Sequence, residues 1–307
     1  MTKRPVTDIA ASIRVRLANH AKATGRPFQE VLQYFAMERF LYRLARSPHV
    51  EKFVLKGALM FTAWRTLSTR PTKDIDLLAR LNNQVNVIVP IIREICFQEV
   101  EPDGLTFDSG SFAGKVIKED ADYEGVRVTF LSRLQRAQVR MQLDLGFGDT
   151  TTPPPAWTEF PTILDLPAPR VLGYSRETVV AEKFEAMVKL GLLNSRMKDF
   201  FDIWILARQY DFDGRSLASA VQRTLANRET DLSPVPLALT TTFADDAAKV
   251  AQWRGFCRKL KSTIAPEDLA VVIDDLGRFL LPVADSIATG RDFSAIWRAP
   301  GPWGKVL

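Results

Sequence analysis

The spacing of apolar residues divides this chain into three zones. From about residue 7 to 46, apolar positions recur every three or four residues, as in amphipathic helices, with a break at Gly25 to Pro27. From about residue 50 to 169, short apolar runs and strict alternation indicate strands. Helical spacing returns from Ser175 onward. The pattern predicts an α+β fold: N-terminal helices over residues 1–48, a small mixed sheet with flanking helices over 49–170, and a C-terminal helical domain over 171–307.

The middle zone carries most of the strand signals. Apolar runs or alternation predict strands at 53–55, 74–78, 126–130 and 139–147, and helical spacing predicts helices at 58–67 and 85–96. In the second of these strands Ile75 and Leu77 point to one face, because side chains alternate along a strand. Asp74 and Asp76 therefore share the other face.

The third zone predicts helices separated by short breaks. Ser175 is a suitable N-cap, and Glu177 follows in the first turn, where the helix dipole favours an acid. A break at Gly191 precedes a second helix that runs through Leu206. Later helices are predicted at residues 248–264 and 266–281.

Composition and charge restrict the class of protein without naming a function. The 307 residues are 46% hydrophobic and 25% charged, as in ordinary soluble globular proteins, and the net charge of +5 favours polyanionic partners only mildly. No apolar run approaches the roughly 18 residues that span a bilayer, and residues 1–5 lead into no apolar signal segment. Cys96 and Cys257 lie far apart, which argues against a disulfide scaffold or a zinc site. We therefore expect a cytoplasmic protein without membrane contact.

Asp74 and Asp76 are the first candidates for chemistry. An Asp-Ile-Asp run on a strand places two carboxylates on one face, with Cα atoms roughly 7 Å apart. Hard oxygen ligands are what Mg²⁺ requires, and two divalent ions about 4 Å apart can activate an attacking oxygen and stabilise a leaving pyrophosphate. A bare Asp-x-Asp is more often a pair of acids at a strand edge, so the motif needs support from its context.

Two further features supply that context. Lys56 and Gly57 end a predicted strand and precede a predicted helix, where backbone N–H groups can approach phosphate. Asp144 lies on a later strand whose apolar residues face the core, so it shares the opposite face with Arg140 and Gln142. The sequence leaves two interpretations of Asp144 open: a third metal ligand, or a solvent-facing strand residue.

A glycine turn, an Asp-x-Asp strand and a later strand acid, in this order, resemble the polymerase-β-like nucleotidyltransferase superfamily. The resemblance implies a polymerase-β-like core within the α+β fold. This sequence departs from the superfamily's pattern in two details. Ala58 stands where glycine or serine is usual, so the position has no hydroxyl, and the interval from Gly57 to Asp74 is slightly long.

A narrower resemblance depends on four segments. They are Val54–Leu59, Arg70–Asp76, Ala181–Ala186 and Arg196–Asp202, which read VLKGAL, RPTKDID, AEKFEA and RMKDFFD. In this order they resemble the AbiEii/AbiGii toxin family, the nucleotidyltransferase-like toxins of abortive-infection (type IV) toxin–antitoxin systems. The resemblance extends from about residue 30 to 210.

That resemblance implies roles for the matching positions. Asp74 and Asp76 hold the metal, Mg²⁺ or Mn²⁺, and Asp144 is the third ligand that the strand pattern adds. Lys183, expected to open a helix directly after the sheet, contacts the NTP triphosphate, and Asp199 is the carboxylate of the last motif. The nucleotide-binding candidates are Lys56, Gly57, Thr72, Lys73, Lys183 and Asp202, with Arg70 as a further triphosphate contact.

Each of these assignments has a structural alternative. Lys183 could extend from a helix face along apolar surface, and Thr72 could be a turn residue. Asp199 and Asp202 lie three residues apart on one helix and share a face, yet either could be a surface acid paired with Arg196 or Lys198.

The predicted reaction is transfer of a nucleoside monophosphate from an NTP to an acceptor, with release of pyrophosphate. By family resemblance the acceptor is RNA, expected to be the 3′ end of tRNA, and an antitoxin is the expected partner. Two alternatives stay open: nucleotidylation of a protein hydroxyl, including self-modification, and a non-catalytic NTP- or RNA-binding module. Asp74, Asp76 and Lys183 together argue against the last, since a pure binder needs no paired carboxylates.

Overall fold

The computed structural model describes residues 8–67, 71–120, 123–260 and 264–305, with backbone alone for 118–120 and 123. Within these ranges the α-helices are α1 Ile9–Thr24, α2 Phe28–Arg46, α3 Ala58–Ala63, α4 Val85–Cys96, α5 Arg176–Leu190, α6 Met197–Gln209, α7 Gly214–Asn227, α8 Thr241–Ala244, α9 Ala247–Leu260 and α10 Leu269–Thr289. The strands are β1 Phe53–Lys56, β2 Ile75–Ala79, β3 Leu105–Phe107, β4 Ala113–Asp120, β5 Tyr123–Leu134, β6 Ala137–Gly146, β7 Ala156–Glu159, β8 Arg170–Gly173, β9 Phe212–Asp213, β10 Ala295–Trp297 and β11 Trp303–Lys305. Short 3₁₀ helices occupy Val50–Lys52, Gly191–Leu193 and Leu237–Leu239.

The chain forms two compact units. Unit 1 comprises Met1–Arg65, Pro71–Gly148 and Ala156–Gly173. Unit 2 comprises Thr66–Arg70, Asp149–Pro155 and Tyr174–Leu307. Helices and mixed strands together confirm the predicted α+β class.

Unit 1 is built on a mixed sheet. Its strand order is β3-β5-β6-β2-β1-β8-β7, and β4 also pairs with β5. Strand β2 runs parallel to β6, and β1 runs parallel to β8, whereas the other neighbours are antiparallel. The parallel pair β2–β6 brings two chain segments about 70 residues apart into register, and this pairing positions the acids described below.

Helices cover the apolar face of this sheet. Helix α2 packs against β6 and β8, and α4 packs against β4 and β5. Phe35 and Phe40 of α2, together with Ile88 and Ile92 of α4, are fully buried there. Since side chains alternate along β5 and β6, the polar residues of these strands lie on the opposite face.

Helix α2 also buries an ion pair. Glu38 and Arg39 are each about 1% exposed, and Arg39 Nη2 lies 3.0 Å from Glu38 Oε1. Glu38 also accepts a 2.7 Å hydrogen bond from the Ile163 backbone N–H, and Arg39 donates one of 2.8 Å to the Pro167 carbonyl. Burial raises the pKa of Glu38 to about 7, against the opposing charge of Arg39. The pair thus ties α2 to the segment that leads into β8.

Unit 2 is mainly helical. Helix α5 packs against α6 and α7, and α10 packs against α6 and α7. Phe200 of α6 stacks on Phe243 of α8, with ring centroids 5.1 Å apart. A small sheet of order β11-β10-β9 carries Trp297, which meets Phe279 of α10 in an edge contact of 4.9 Å.

Several elements differ from the predicted ones. Helix α3 ends at Ala63 rather than at residue 67, because Arg65 adopts a positive φ of 56° that a helix does not tolerate. Helix α10 continues through Pro282 and ends before Gly290, eight residues beyond the predicted end at residue 281. The apolar pattern missed α7, β3, β4 and the strands from β7 onward, most of which are short. Among the described helices, none combines the length and apolar character that a membrane span requires.

Candidate active site

A row of charged side chains crosses the sheet of unit 1. Strand register pairs Lys56 of β1 with Asp76 of β2, Asp76 with Asp144 of β6, and Asp144 with Arg127 of β5. The next partner of Arg127 is the exposed Lys115 of β4. Directly paired residues point to the same face of a sheet, about 5 Å apart per strand. We call Lys56, Asp76, Asp144, Arg127 and Lys115 the charged row.

The two aspartates of the Asp-x-Asp motif lie where the alternation predicted. Ile75 and Leu77 are fully buried, whereas Asp74 and Asp76 are only half-buried. Asp74 lies in the bend that immediately precedes β2, and its negative charge, like that of Asp76, acts on Arg127 of the polar face. The motif therefore presents both carboxylates on the polar face.

Gly57 brings the backbone directly against Asp76. It joins β1 to α3 with φ 67° and ψ −152°, a conformation that L-residues with a side chain rarely adopt. A Cβ at this position would lie 1.9 Å from Asp76 Oδ2 and 2.7 Å from Asp76 Cγ. Lys56, just before this turn, is 7% exposed. Only glycine fits here, since any side chain would displace the carboxylate.

Helix α2 fixes the loop that leads into β2. The hydroxyl of Tyr34 accepts a 3.2 Å hydrogen bond from the Thr72 backbone N–H, and Gln33 donates one of 3.1 Å to the Lys73 carbonyl. The Thr72 hydroxyl lies 3.3 Å from the Asp74 carbonyl oxygen. Thr72 therefore has the contacts of a turn residue, while Lys73 is exposed beside it. The predicted contact Arg70 lies outside the described residues.

Asp144 is held in a two-point salt bridge. Arg127 Nε donates to Asp144 Oδ1 and Arg127 Nη2 donates to Oδ2, each over 2.7 Å. Gln142 also donates to Oδ2, over 3.2 Å. The Asp144 side chain is 11% exposed and that of Arg127 is 31% exposed. Asp144 is thus a buried, paired acid, and the alternative of a solvent-facing residue is wrong.

Arg127 belongs to the electrostatics of the site. Its hydrogen bonds to Asp144 raise its pKa above the ordinary value, and the negative charges of Asp144, Asp74 and Asp76 add to this effect although partial burial opposes it. The sequence interpretation did not select Arg127. Its alternation with Val126 and Val128 indicated a polar face, but only the register between β5 and β6 pairs it with Asp144.

The chemistry of the donor set decides whether Mg²⁺ fits. Within the described residues, no group of three His, Cys, Asp or Glu side chains is arranged to hold a metal ion. Mg²⁺ does not need one, because it is usually bound by one or two carboxylates together with substrate phosphates and water. Asp74 and Asp76, both half-buried and on one face, meet that requirement.

Unit 2 carries a second set of predicted residues, centred on Lys183. Lys183 Nζ lies 2.6 Å from Asp199 Oδ1 and 2.9 Å from Asp202 Oδ2, and Arg196 Nε lies 2.7 Å from Asp199 Oδ2. The side chains of Asp199 and Asp202 are 0% and 2% exposed, and that of Lys183 is 12% exposed. We call Lys183, Asp199, Asp202 and Arg196 the lysine cluster.

Three expectations about the lysine cluster are corrected by its geometry. Lys183 does not open a helix: Ser175 caps α5 by accepting from the Thr178 N–H, as predicted, and Lys183 lies two turns further along. Asp199 does pair with Arg196, but it is fully buried and so is not a surface acid. A lysine held by two buried carboxylates also does not extend freely over apolar surface.

Opposing effects set the pKa of Asp199. Burial disfavours its ionised form, yet the charges of Lys183 and Arg196 outweigh this cost, and its pKa falls below the usual value. Asp199 is therefore ionised in the folded protein and fixes the position of the Lys183 ammonium. A fixed ammonium is suited to contact a phosphate oxygen.

The glycine turn, the paired aspartates and the mixed sheet define a protein of the nucleotidyltransferase class. A family model described as "Nucleotidyl transferase AbiEii toxin, Type IV TA system" matches residues 39–276. The chain belongs to this family, which confirms the family resemblance and the enzyme class inferred from the four segments. Among curated proteins, none matches this chain.

Two solved structures are similar to the chain. JHP933 from Helicobacter pylori has 15% sequence identity and a TM-score of 0.48, covering 85% of this chain and 94% of its own. A candidate nucleotidyltransferase from H. pylori has 14% identity and a TM-score of 0.49, covering 86% of this chain and 99% of its own.

Proposed function

We propose that this chain transfers a nucleoside monophosphate from an NTP to the 3′ end of an RNA, with tRNA as the acceptor. The observation that carries the proposal is the Asp74–Asp76 pair, with the backbone of Gly57 packed against the Asp76 carboxylate. A binding module has no need for this arrangement. The family to which the chain belongs consists of nucleotidyltransferase toxins.

Asp74 and Asp76 would hold Mg²⁺ or Mn²⁺. The metal, when bound, supplies positive charge to the phosphates of the NTP and to the departing pyrophosphate. The protein's part is to keep both carboxylates on one face of β2 and to hold Asp76 in one position through the Gly57 turn. Such fixed geometry costs no reorganisation when the reaction occurs.

The remaining predicted residues would bind and orient the nucleotide. Lys183, held by Asp199 and Asp202, presents a fixed ammonium to the triphosphate. The other nucleotide-binding candidates are Lys56, Gly57, Thr72, Lys73 and Asp202. In this proposal Asp199 acts through Lys183 and does not itself contact the substrate.

The chemical step balances with groups that the chain and the substrates contain. The acceptor 3′ oxygen forms a bond to the α-phosphorus, the bond from that phosphorus to the bridging oxygen of the β-phosphate breaks, and pyrophosphate leaves. The proton of the 3′ hydroxyl passes to the Asp76 carboxylate, which lies half-buried on the polar face of the sheet.

The cellular setting follows from the family. Type IV toxin–antitoxin systems include an antitoxin, so an antitoxin partner is expected. Modification of the tRNA 3′ end would stop aminoacylation and thus translation. Such a protein would act in the cytoplasm, where NTPs and tRNA occur.

One labelling experiment tests the proposal. The protein is incubated with each α-labelled NTP, Mg²⁺, total tRNA and a cell lysate, with Asp76→Ala as the inactive control. Label that appears on RNA and requires Asp76 supports the proposal. Label on protein would instead establish protein nucleotidylation, and tight NTP binding without transfer would establish a non-catalytic module.

A further inference from the structure

The pairing of Arg127 with Asp144 affects which side chains of the charged row can bind a metal ion or a phosphate group. The sequence predicts Asp144 as a metal ligand, but both of its oxygens already accept hydrogen bonds from the Arg127 guanidinium. Oδ2 accepts a further one from Gln142. A divalent ion on Asp144 would compete with a charge-assisted, two-point salt bridge for the same carboxylate, and it would meet the positive guanidinium beside it.

Arg127 keeps donors outside this salt bridge. A guanidinium carries five N–H donors, and those engaged with Asp144 belong to Nε and Nη2. Nη1 takes no part in the salt bridge. The side chain is 31% exposed on the polar face, while its anchor Asp144 is 11% exposed. The bridge therefore fixes one edge of the guanidinium and does not engage Nη1.

The location of Arg127 points to an anionic ligand. A single strand, β6, separates it from Asp76, which corresponds to about 10 Å between Cα atoms. Lys115 follows it in the charged row, so the row becomes positive on the side beyond Asp144. Arg is the side chain best matched to phosphate, because its planar fork donates two parallel hydrogen bonds.

We propose that Arg127 binds a phosphate group beside the Asp74–Asp76 pair and that Asp144 is its positioning residue rather than a metal ligand. The proposal deepens the function above and rests on it. The phosphate belongs either to the NTP or to the backbone of the acceptor strand, and the two sources share the same chemistry. Asp144 acts through Arg127 and touches no substrate.

The variants that test this are Arg127→Gln, Arg127→Lys, Asp144→Asn and the double variant Arg127→Gln/Asp144→Asn. Arg133→Gln is the matched control. Arg133 lies on the same face of β5, six residues away, and makes a comparable 2.9 Å pair with Asp108. The double variant leaves no unpaired buried carboxylate, so it guards against a loss of folding in Arg127→Gln.

Two affinities are measured without turnover. The first is the affinity for a non-hydrolysable α,β-imido NTP, chosen from the four as the one that the unaltered protein binds most tightly. The second is the affinity for Mn²⁺ at saturating analogue, followed by electron paramagnetic resonance, with Asp76→Asn as the comparison. The KM for the RNA acceptor is measured separately.

The expected result has three parts. Arg127→Gln weakens either the analogue affinity or the acceptor KM by about tenfold, the size of one charge-assisted hydrogen bond, and which of the two changes identifies the source of the phosphate. Asp144→Asn weakens the same quantity, and the double variant is no weaker than Arg127→Gln alone. Asp144→Asn keeps its Mn²⁺ affinity within about twofold, whereas Asp76→Asn loses it, since only the latter is a metal ligand.

Two outcomes would overturn the proposal. If Asp144→Asn loses its affinity for Mn²⁺ as Asp76→Asn does, Asp144 is a metal ligand. If Arg127→Gln and Arg127→Lys change neither quantity more than Arg133→Gln does, Arg127 is not part of the phosphate site. Failure of the proposed function looks different, because the unaltered protein would then bind no analogue or transfer no nucleotide.

Discussion

The charged row of unit 1 and the lysine cluster of unit 2 hold their charges by different means. In the row, register across neighbouring strands aligns the residues, and Asp76, like Asp74 just before β2, is half-buried. In the cluster, two buried acids from α6 hold one lysine from α5 at hydrogen-bonding distance. The carboxylate of Asp76 in the row is therefore partly exposed, whereas the carboxylates of the cluster are buried around a cation.

This difference separates effects on activity from effects on stability. A half-exposed acid gains little stability from its neighbours, so its loss affects mainly the reaction. Removing one member of a buried ion cluster leaves an uncompensated charge, which is strongly destabilising. Substitutions in the two regions should therefore produce different patterns of loss.

The largest effect on transfer is expected from Asp76→Asn. The amide keeps the shape but loses the charge that a divalent ion needs, so nucleotidyl transfer should fall about thousandfold or more, equivalent to about 4 kcal/mol of barrier. Steady-state transfer with labelled NTP measures the loss, and urea unfolding should show a stability within about 1 kcal/mol of the unaltered protein. Transfer that survives this change would remove Asp76 from the metal site.

Lys183→Met, unlike Asp76→Asn, should cause a large loss of stability. Asp199 and Asp202 would lose their ammonium partner while still buried, which should lower the free energy of unfolding by about 3–5 kcal/mol. Adding Asp199→Asn should restore part of that stability, because one of the two buried carboxylates is then neutral, but it should not restore transfer. Recovery of both by the double variant would show that Lys183 serves the fold alone.

Gly57→Ala should damage transfer by sterics. The new Cβ would collide with the Asp76 carboxylate, and the backbone conformation favours glycine, so transfer should fall about a hundredfold with about 1–3 kcal/mol of stability lost. The matched control is Gly25→Ala: Gly25 also has a positive φ, but a Cβ there meets nothing within 4 Å. That control should lose about 1 kcal/mol and keep its transfer rate. Equal transfer rates in the two variants would contradict the role given to the Gly57 turn.

The last effect, for which no change in transfer is expected, concerns the pH dependence of stability and compares buried acids in the two units. The pKa of Glu38 in α2 is raised from 4.5 to about 7, so the folded state binds more protons than the unfolded chain between these values. Stability should therefore fall as pH rises through that window, by up to about 3 kcal/mol, and Glu38→Gln should flatten the slope. Urea unfolding at several pH values between 4.5 and 7 measures it.

Asp199 is the control, because its pKa is shifted in the direction opposite to that of Glu38. Its folded pKa is lowered below 3.8, so its contribution is present above that value and is lost as pH falls through the folded pKa. Asp199→Asn should change the acid side of the profile and leave the slope between pH 4.5 and 7 intact. A slope that is the same with and without Glu38 would show that Glu38 titrates at its ordinary pKa.

Much of the arrangement of the candidate site could be predicted from the sequence, because local pattern determines it. Alternation around Ile75 and Leu77 placed Asp74 and Asp76 on one face, and Ser175 marked the start of α5. Strand-end glycine, paired acids and the Lys183 segment together indicated the enzyme class. These signals extend over a few residues each, so one chain suffices to see them.

Tertiary structure alone decided how those residues are partnered. The parallel pairing of β2 with β6 places Asp144 next to Asp76, and the antiparallel pairing of β6 with β5 places Asp144 opposite Arg127. Nothing local to Asp76 or Asp144 encodes the register of β2 with β6, which lie about 70 residues apart, and a slip of one residue would turn every side chain to the other face. The sequence showed that Asp144 was an acid on a polar face, whereas the pairing of β5 with β6 showed that its carboxylate accepts hydrogen bonds from the Arg127 guanidinium.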